Sequence, residues 1–549
     1  MKRLCYNGLF ILAASLLSCA TLFAIPARRD TLTILQPDGT TILATNNGDE
    51  YCHYLTDLDG NILLEDSDGF YRVADRQTVS AISMQQQHAL NQKRKPAVLT
   101  PNIAERGLVI LANFSDTTFL PDNDLESMRD MFCGTDYTYN GATGSARQYF
   151  YDQSFGTYNP RFDVVGPVRL PNTSAYYGRN NRVGAEPSAH FAIRDACLIA
   201  DSVYDIDFSL YDNDKDGILD FVFVVYAGHN EAEGAATTTI WPHAWNLLDA
   251  GLRLAIDGVL LGRYACTSEL CNDRGTVRAG IGTFCHEFGH VLGLPDIYPT
   301  NQLTHRTLGS WDIMDYGGYN NEGRTPPAYS AYERYFLGWA KPTLLNEPNN
   351  YFMRDIASTN AYAMITQNGQ SNLSAYAPDP SVYYLLENRQ QHGWDTYLPG
   401  HGLMITRIQY NENRWISNTV NNTASDMGID MIEAGGNTKK NDDTQLDLFP
   451  AGAISFVPYV FYPILDIAED AEGIISFRFM SGSEGRQPVE IIGDLPTDLI
   501  NIRSESLSES DIISIYSISG QQLQTNSINS LPHGMYVITT QNGNLKLIK

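Results

Sequence analysis

The sequence predicts an α+β multidomain protein in which a mixed core of helices and strands lies between β-rich segments. An uninterrupted apolar run at residues 107–114 is typical of a buried strand, and helical patterns follow at residues 128–133 and 188–201. Alternating apolar stretches separated by turn residues predict short strands across residues 25–90, and similar runs return at residues 346–481. With 549 residues and 43% hydrophobic content, the chain is long enough for several domains with cores of their own.

The strongest motif of the chain is the run IGTFCHEFGHVLGLPD. His286 and His290 are four residues apart, so on a helix both imidazoles project from one face and can share one Zn²⁺. Glu287 stands beside the first histidine, where a carboxylate can hold the water of the metal without binding the metal. Gly293 favours the left-handed conformation that ends a helix and returns Asp296 towards the metal as a third ligand. Three protein ligands leave a fourth position for water, which is the pattern of a catalytic zinc site.

A second local feature follows 14 residues after Asp296, in the run SWDIMDY. Met314 is placed to form a hydrophobic floor beneath the zinc site. Tyr316 can offer a phenol to the metal or to a developing oxyanion. An extended zinc motif followed by such a Met-turn is the arrangement of metzincins.

Together with these motifs, further stretches of the chain resemble the immune inhibitor A family of secreted bacterial metallopeptidases, peptidase family M6. These stretches share their order with the family and are GS at 144, SFG at 154, VVGP at 164, WPH at 241, SAYER at 330, LGW at 337, LENR at 386 and LPGHGL at 398. In that family the third zinc ligand is an aspartate, and Asp296 stands at that place. The resemblance implies peptide hydrolysis as the reaction and a zincin (metzincin-like) catalytic core.

The resemblance and the composition together predict five segments. They are a signal peptide (1–24), a β-rich propeptide and linker (25–105), the zincin peptidase core (106–345), a β-rich subdomain of the M6 region (346–482) and a small β-sandwich tail (483–549). The tail resembles the C-terminal sorting domain of the type IX secretion pathway, which is found in Bacteroidetes-type bacteria. The type IX secretion machinery is therefore an expected partner.

The N-terminus predicts export from the cytoplasm. Lys2 and Arg3 precede an apolar run and small residues up to Ala24, as in a secretory signal peptide. The run LLSC, ending at Cys19, instead resembles a lipobox, which predicts a lipid-anchored protein. Plain secretion is favoured over the lipoprotein, and both place the mature chain outside the cytoplasm.

The charge balance limits the partners. The chain carries 63 acidic and 37 basic residues, a net charge of −26, which argues against nucleic acid as a partner. No apolar run after the signal peptide is long enough for a transmembrane helix, so none is expected in the mature chain. Protein or peptide substrates are the expected partners of the site.

An acidic loop predicts a structural calcium site. Its expected ligands follow the spacing of calcium loops, with glycine at the sixth position, and are Asp212, Asp214, Asp216, Ile218 and Asp220. The twelfth position is Phe223 where an EF-hand has a bidentate glutamate, and a strand is expected to follow in place of a helix. A merely acidic turn is the alternative.

Several remaining residues carry weaker predictions. Cys266 and Cys271 flank a short loop and are the disulfide candidate in an oxidising compartment. Cys52, the one cysteine of the pro-region, is either a thiolate that blocks the open zinc position or a small core residue, and the core residue is favoured. Residues 411–430 are rich in Asn and Asp and predict either a further cation site or a solvated loop, and the solvated loop is favoured.

The expected function is that of a secreted zinc endopeptidase made as a latent precursor. In this mechanism Glu287 is the general base, and the metal with Tyr316 stabilises the oxyanion. The first alternative is a zincin-fold adhesin or binding module with a structural metal, which has no need of Glu287. A zinc deacylase or amidase is the second alternative.

Overall fold

A computed structural model gives the fold of the chain over most of its length. The described residues are 26–28, 31–49, 52–66, 68–75, 78–79, 105–181, 186–301, 305–436, 442–480, 490–493, 500–502, 512–517, 522–523, 535–540 and 543–548. The predicted signal peptide and Cys19 lie outside these ranges, as does the side chain of Cys52.

The N-terminal residues form an antiparallel five-stranded sheet in which neighbours along the chain are neighbours in space. Its strands are β1 (Thr31–Leu35), β2 (Thr41–Asp49), β3 (Cys52–Asp57), β4 (Ile62–Glu65) and β5 (Tyr71–Val73). The Asp-Gly turns read from the sequence join these strands, and Gly39 and Gly60 both adopt a φ of 84°. This sheet is called the N-terminal module below.

The central sheet has the strand order β7-β6-β8-β12-β9. Its strands are β6 (Arg106–Asn113), β7 (Arg161–Arg169), β8 (Val222–Tyr226), β9 (His243–Asn246) and β12 (Arg263–Ser268), with a separate hairpin of β10 (Ala255–Ile256) and β11 (Val259–Leu260). Neighbouring strands run parallel except at the edge, where β9 is antiparallel to β12.

Helices cover both faces of the central sheet. Those of the described residues are α1 (Leu125–Cys133), α2 (Ala146–Gln153), α3 (Ser174–Gly178), α4 (Ala189–Tyr204), α5 (Gly282–Val291), α6 (Ala331–Phe336), α7 (Ile356–Thr359) and α8 (Glu412–Ile416). Because side chains alternate along a strand, Val109 of β6 shares one core with Phe288 of α5, whereas Ile110 shares the other with Ile193 of α4. The central sheet therefore separates α5 from α4.

Two further sheets follow the central one. The first has the order β13-β15-β16-β17-β18 and the second β19-β20-β14-β21. Their strands are β13 (Thr343–Leu344), β14 (Asn349–Met353), β15 (Ala363–Thr366), β16 (Val382–Arg389), β17 (Gly402–Gln409), β18 (Ile429–Met431), β19 (Ile464–Glu469), β20 (Ile475–Phe479) and β21 (Glu490–Ile492). Leu386 of β16 shares a core with Phe477 of β20, whereas Leu385 lies in the core that contains α5. The first sheet thus lies between the core that contains α5 and the second sheet.

The C-terminal strands form one sheet of their own with the order β22-β26-β25-β23-β24. They are β22 (Ile500–Ile502), β23 (Ile512–Ser517), β24 (Gln522–Leu523), β25 (Met535–Thr540) and β26 (Gly543–Ile548). The sequence predicts a β-sandwich here, but the described tail strands contain no second sheet. The first strand after residue 482, β21, instead pairs in parallel with β14 of the preceding region.

The mixed α/β character expected from the sequence is confirmed. The predicted strand at 107–114 and helices at 128–133 and 188–201 correspond to β6, α1 and α4, with ends that differ by up to three residues. The predicted domain boundaries stay predictions. Among the described residues, no helix is long and apolar enough to cross a membrane.

Candidate metal centre

Helix α5 carries the histidine motif and is buried almost all round. Every residue of the helix except Thr283 is buried. Gly293 ends it in the left-handed conformation, with a φ of 100°, and the Leu294 N–H donates to the carbonyl of Gly289 at 3.0 Å. This reversal brings the residues after the helix back across its last turn.

Two histidines and one aspartate converge beside the helix. The Nε2 atoms of His286 and His290 lie 3.2 Å apart, and Asp296 Oδ1 lies 3.3 Å and 3.2 Å from them. Ligands bound to zinc at about 2.0–2.1 Å in tetrahedral geometry lie about 3.3–3.4 Å from one another. The three atoms therefore have the mutual spacing of a tetrahedral zinc site.

The hydrogen bonds of the imidazoles leave Nε2 available to a metal. His286 Nδ1 lies 2.7 Å from the carbonyl of Ile313, and His290 Nδ1 lies 2.8 Å from that of Leu294. A carbonyl only accepts, so each neutral ring carries its proton on Nδ1 and a lone pair on Nε2. Two lone pairs and a carboxylate oxygen then face one another in a buried space, a donor set that fits a cation such as Zn²⁺.

The protonation states also suit a metal. Burial lowers the pKa of His290 below its usual value and favours the neutral ring. Burial opposes ionisation of Asp296, but the neighbouring basic imidazoles of His290 and His286 outweigh it and lower the pKa of that carboxyl.

Asn418 holds the aspartate from a distant part of the chain. Its Nδ2 donates to Asp296 Oδ2 at 2.5 Å, and its Oδ1 accepts from the Asp296 backbone N–H at 2.8 Å. Oδ1 of Asp296 is thereby directed at the histidines. The sequence predicts a solvated loop for residues 411–430, which is wrong at this position because Asn418 is buried against the site.

The Met-turn lies directly under α5. Met314 is fully buried, and a Cβ added to Gly289 would lie 2.6 Å from its sulfur, so the contact requires glycine between the two histidines. The carbonyl of Met314 accepts from the Ile297 N–H at 2.8 Å, which fixes the residue after Asp296. The expectation of a hydrophobic floor at Met314 agrees with this geometry.

Two tyrosines lie near His286. The ring of Tyr298 is stacked on His286 with centroids 6.4 Å apart, and the ring of Tyr316 lies edge-on to Tyr298 with centroids 6.4 Å apart. Tyr298 is thus an aromatic neighbour of His286, and nothing in the sequence singled it out. The predicted contact of Tyr316 with the metal or an oxyanion stays a prediction. Glu287, the predicted base, is fully buried in the same helix.

The acidic loop has a cluster of three carboxylates. Oxygens of Asp212, Asp214 and Asp216 lie within 4.8 Å of one another, and the loop backbone donates to all three side chains. Asp220 is not one of these three residues, and its Oδ2 accepts from the backbone and the side chain of Asn213 at 2.5 Å and 2.8 Å. The liganding roles predicted for Ile218 and Asp220 stay predictions.

The predicted disulfide does not form, because Cys266 and Cys271 are both free thiols. Cys266 lies inside β12, where its Sγ is 3.5 Å from His243 Nδ1, whereas Cys271 lies beyond the strand and donates to the carbonyl of Val277. An extended strand carries residues five positions apart too far from each other for an S–S bond. Cys285 is buried in α5 and is also a free thiol.

Two helical histidines with a neighbouring glutamate are the arrangement of one class of metal-dependent hydrolases. Residues 105–340 match the family described as immune inhibitor A peptidase M6, catalytic domain, so this part of the chain is similar to a metallopeptidase domain.

Two curated relatives have related names. Over 232 residues the chain is 28% identical to "Pre-pro-metalloprotease PrtV" of Vibrio cholerae serotype O1, an alignment that covers 37% of this chain and 25% of the relative. Over 218 residues it is 25% identical to "Immune inhibitor A" of Bacillus thuringiensis subsp. alesti, covering 35% and 31%. The chain thus matches about a quarter to a third of the length of these relatives.

Proposed function

We propose that this protein is a secreted, zinc-dependent endopeptidase that is made as a latent precursor and acts on proteins or peptides. The observation that carries the proposal is the convergence of His286, His290 and Asp296 beside Glu287, within a domain that matches metallopeptidases. His286, His290 and Asp296 would hold Zn²⁺, which acts as a Lewis acid and lowers the pKa of a water.

The protein residues divide the remaining work. The Glu287 carboxylate takes a proton from the attacking water and returns it to the nitrogen of the leaving amine. The carbonyls of Ile313 and Leu294 keep each imidazole in the tautomer with its proton on Nδ1. Asn418 keeps the aspartate oxygen turned towards the histidines. In this proposal Tyr316 assists the developing oxyanion, and Tyr298 positions the ring of His286.

Latency is attributed to the N-terminal module together with residues 26–28, which precede it. Asn46 of β2 donates to the carbonyl of Glu231 at 2.8 Å, and the Tyr319 hydroxyl donates to the carbonyl of Pro26 at 2.8 Å. Tyr319 belongs to the 3₁₀ segment Tyr316–Gly323, which packs on α5. Burial, together with the nearby charges of Glu233 and Glu287, raises the pKa of Tyr319 well above its usual value. Release of this module is proposed to open the site.

Export through the predicted signal peptide, and delivery by the type IX machinery through the C-terminal region, complete the proposal. Plain secretion is retained over a lipid anchor at Cys19. A structural Ca²⁺ held by Asp212, Asp214 and Asp216 is proposed for the acidic loop.

The test is casein cleavage by processed native protein and by Glu287→Ala, with the zinc content of both measured. If both bind zinc and only the native protein cleaves, the peptidase function and the role of Glu287 stand. If Glu287→Ala cleaves equally well, the mechanism is wrong. If the fully processed native protein binds zinc and cleaves nothing, a binding module with a structural metal replaces the proposal.

A further inference from the structure

A second group of metal-binding side chains lies where the N-terminal module meets the core. His53 comes from β3 of the module, Glu231 from the 3₁₀ segment Glu231–Glu233, and Glu186 from the chain before α4. One ligand atom from each lies within 4.8 Å of the other two. None of the three belongs to the site built on α5.

The histidine–carboxylate distance in this group is similar to that of the first site. His53 Nε2 is 3.3 Å from Glu231 Oε2, the distance that separates His286 from Asp296. Asn180 Oδ1 lies 2.9 Å from the same nitrogen, at hydrogen-bond distance. One imidazole nitrogen with carboxylate oxygens is a donor set that zinc accepts, whereas calcium prefers oxygen alone.

The neighbours hold these side chains in place. The imidazole of His53 is stacked on Trp241, with centroids 4.3 Å apart and an angle of 21° between the rings. Asn180 Nδ2 donates to both oxygens of Glu231 at 2.8 Å, and the Trp241 N–H donates to Glu186 at 2.7 Å. Contacts of this kind, from residues around the ligands, fix the orientation of the ligand side chains in a metal site.

Charge is the second argument for a cation. The side chains of His53 and Glu231 are only 1% and 9% exposed. Two carboxylates beside one imidazole leave an excess negative charge even when the ring is protonated, and a buried excess charge is costly. A divalent cation would balance both carboxylates with the ring neutral.

We propose that His53, Glu186 and Glu231 bind a second Zn²⁺, which fastens the N-terminal module to the core. The zinc joins two parts of the chain that are otherwise held by contacts such as the hydrogen bond from Asn46 of β2 to the carbonyl of Glu231, 2.8 Å long. This site goes beyond the proposed peptidase function. Its zinc can be counted without any measurement of peptide cleavage. It also predicts that the second zinc is lost when the module is removed, because His53 leaves with it.

The experiment counts zinc in the full-length chain in the Glu287→Ala background, which prevents self-cleavage if the protein is a peptidase. Calcium is present throughout so that the acidic loop does not take up zinc. The parent is expected to hold about two zinc ions per chain, and His53→Gln and Glu231→Gln about one each. Glu233→Gln is the matched control, because Glu233 is also a carboxylate of the junction but lies outside the group; it is expected to keep both zinc ions.

His290→Ala assigns the ions to the two sites. If the second site is real, this variant keeps one zinc, and adding Glu231→Gln to it removes that ion. A parent that holds one zinc and loses it in His290→Ala overturns the proposal, and the group is then an ion pair with a protonated His53. Two zinc ions that persist in both His53→Gln and Glu231→Gln overturn it as well.

The first site serves as the folding control. If His53→Gln retains the zinc ion of the first site, its core has folded, and loss of the second ion is not a folding failure. Casein cleavage plays no part in these counts, and failure of the peptidase function is therefore scored separately.

Discussion

Replacing Asn418 with glycine tests whether a residue far from the histidine motif controls the affinity for zinc. Asn418 makes two hydrogen bonds to Asp296, one to the carboxylate and one from its backbone N–H. It has a φ of 51°, so glycine removes the side chain without the left-handed strain that alanine would add.

The expected loss follows from the contacts. Loss of a partner that orients a metal ligand weakens metal binding by about 10–100-fold, which corresponds to about 1.4–2.7 kcal/mol. The bond from Asn418 Nδ2 to the ionised carboxylate accounts for a loss of this size, since a hydrogen bond to a charged group contributes about 1.5–3 kcal/mol. We therefore expect Asn418→Gly to bind zinc about 10–100-fold more weakly than the native protein.

Competition with a chromogenic chelator measures this affinity, and Asn421→Ala is the matched control. Asn421 lies in the same loop and makes three buried hydrogen bonds, to Ile297 and Ile429, but none to the Asp296 carboxylate. The Asn421→Ala variant should have a lower free energy of unfolding and almost the same zinc affinity as the native protein. Equal zinc affinity of Asn418→Gly and the native protein would refute the reasoning, as would equal weakening by both variants.

Three further outcomes follow from other parts of the structure. Burial lowers the pKa of His243 to about 4, so between about pH 6.5 and pH 4 the unfolded chain holds a proton that the folded ring does not. Protonation of His243 in the unfolded chain should then lower the free energy of unfolding by about 2 kcal/mol between pH 7 and pH 5. In urea titrations, His243→Gln should therefore lose about 2 kcal/mol less stability over this pH range than the native protein. Calcium at a concentration of 100 times its Kd should raise the free energy of unfolding by about 2.7 kcal/mol, as measured by thermal unfolding. Asp212→Asn should abolish this increase, whereas Asp220→Asn should retain it. Gly289→Ala should cost about 1–3 kcal/mol of stability in urea unfolding despite its better helix propensity, because its Cβ meets the sulfur of Met314; unchanged stability would contradict the Met-turn contact.

Parts of the candidate site could be predicted because they depend on local geometry. His286 and His290 share a face because any helix brings residues four apart together, and Gly293 ends the helix through its own φ. Strands such as β6 follow from an apolar run that excludes water from both faces. In each case the deciding interactions lie within a few residues of one another.

Predictions failed where the environment of a residue decided its role. Cys266 and Cys271 are close in sequence, but the first is fixed inside β12 and the second lies beyond its end. Asn418 lies in a stretch predicted as a solvated loop, yet it is buried and donates to the Asp296 carboxylate. Spacing along the chain specifies neither the direction of a strand side chain nor which of several donors satisfies a carboxylate.

The sequence by itself determined the histidine pair, the adjacent glutamate and the turn that returns Asp296, because a helix of 3.6 residues per turn imposes these relations locally. Only the tertiary structure decided that Asn418 orients Asp296 across 122 residues and that Tyr298 stacks on His286. It also placed His53 against Glu231, a residue of another part of the chain. The physical reason is that these contacts depend on how sheets and loops pack, and packing is set by the burial of many apolar side chains at once.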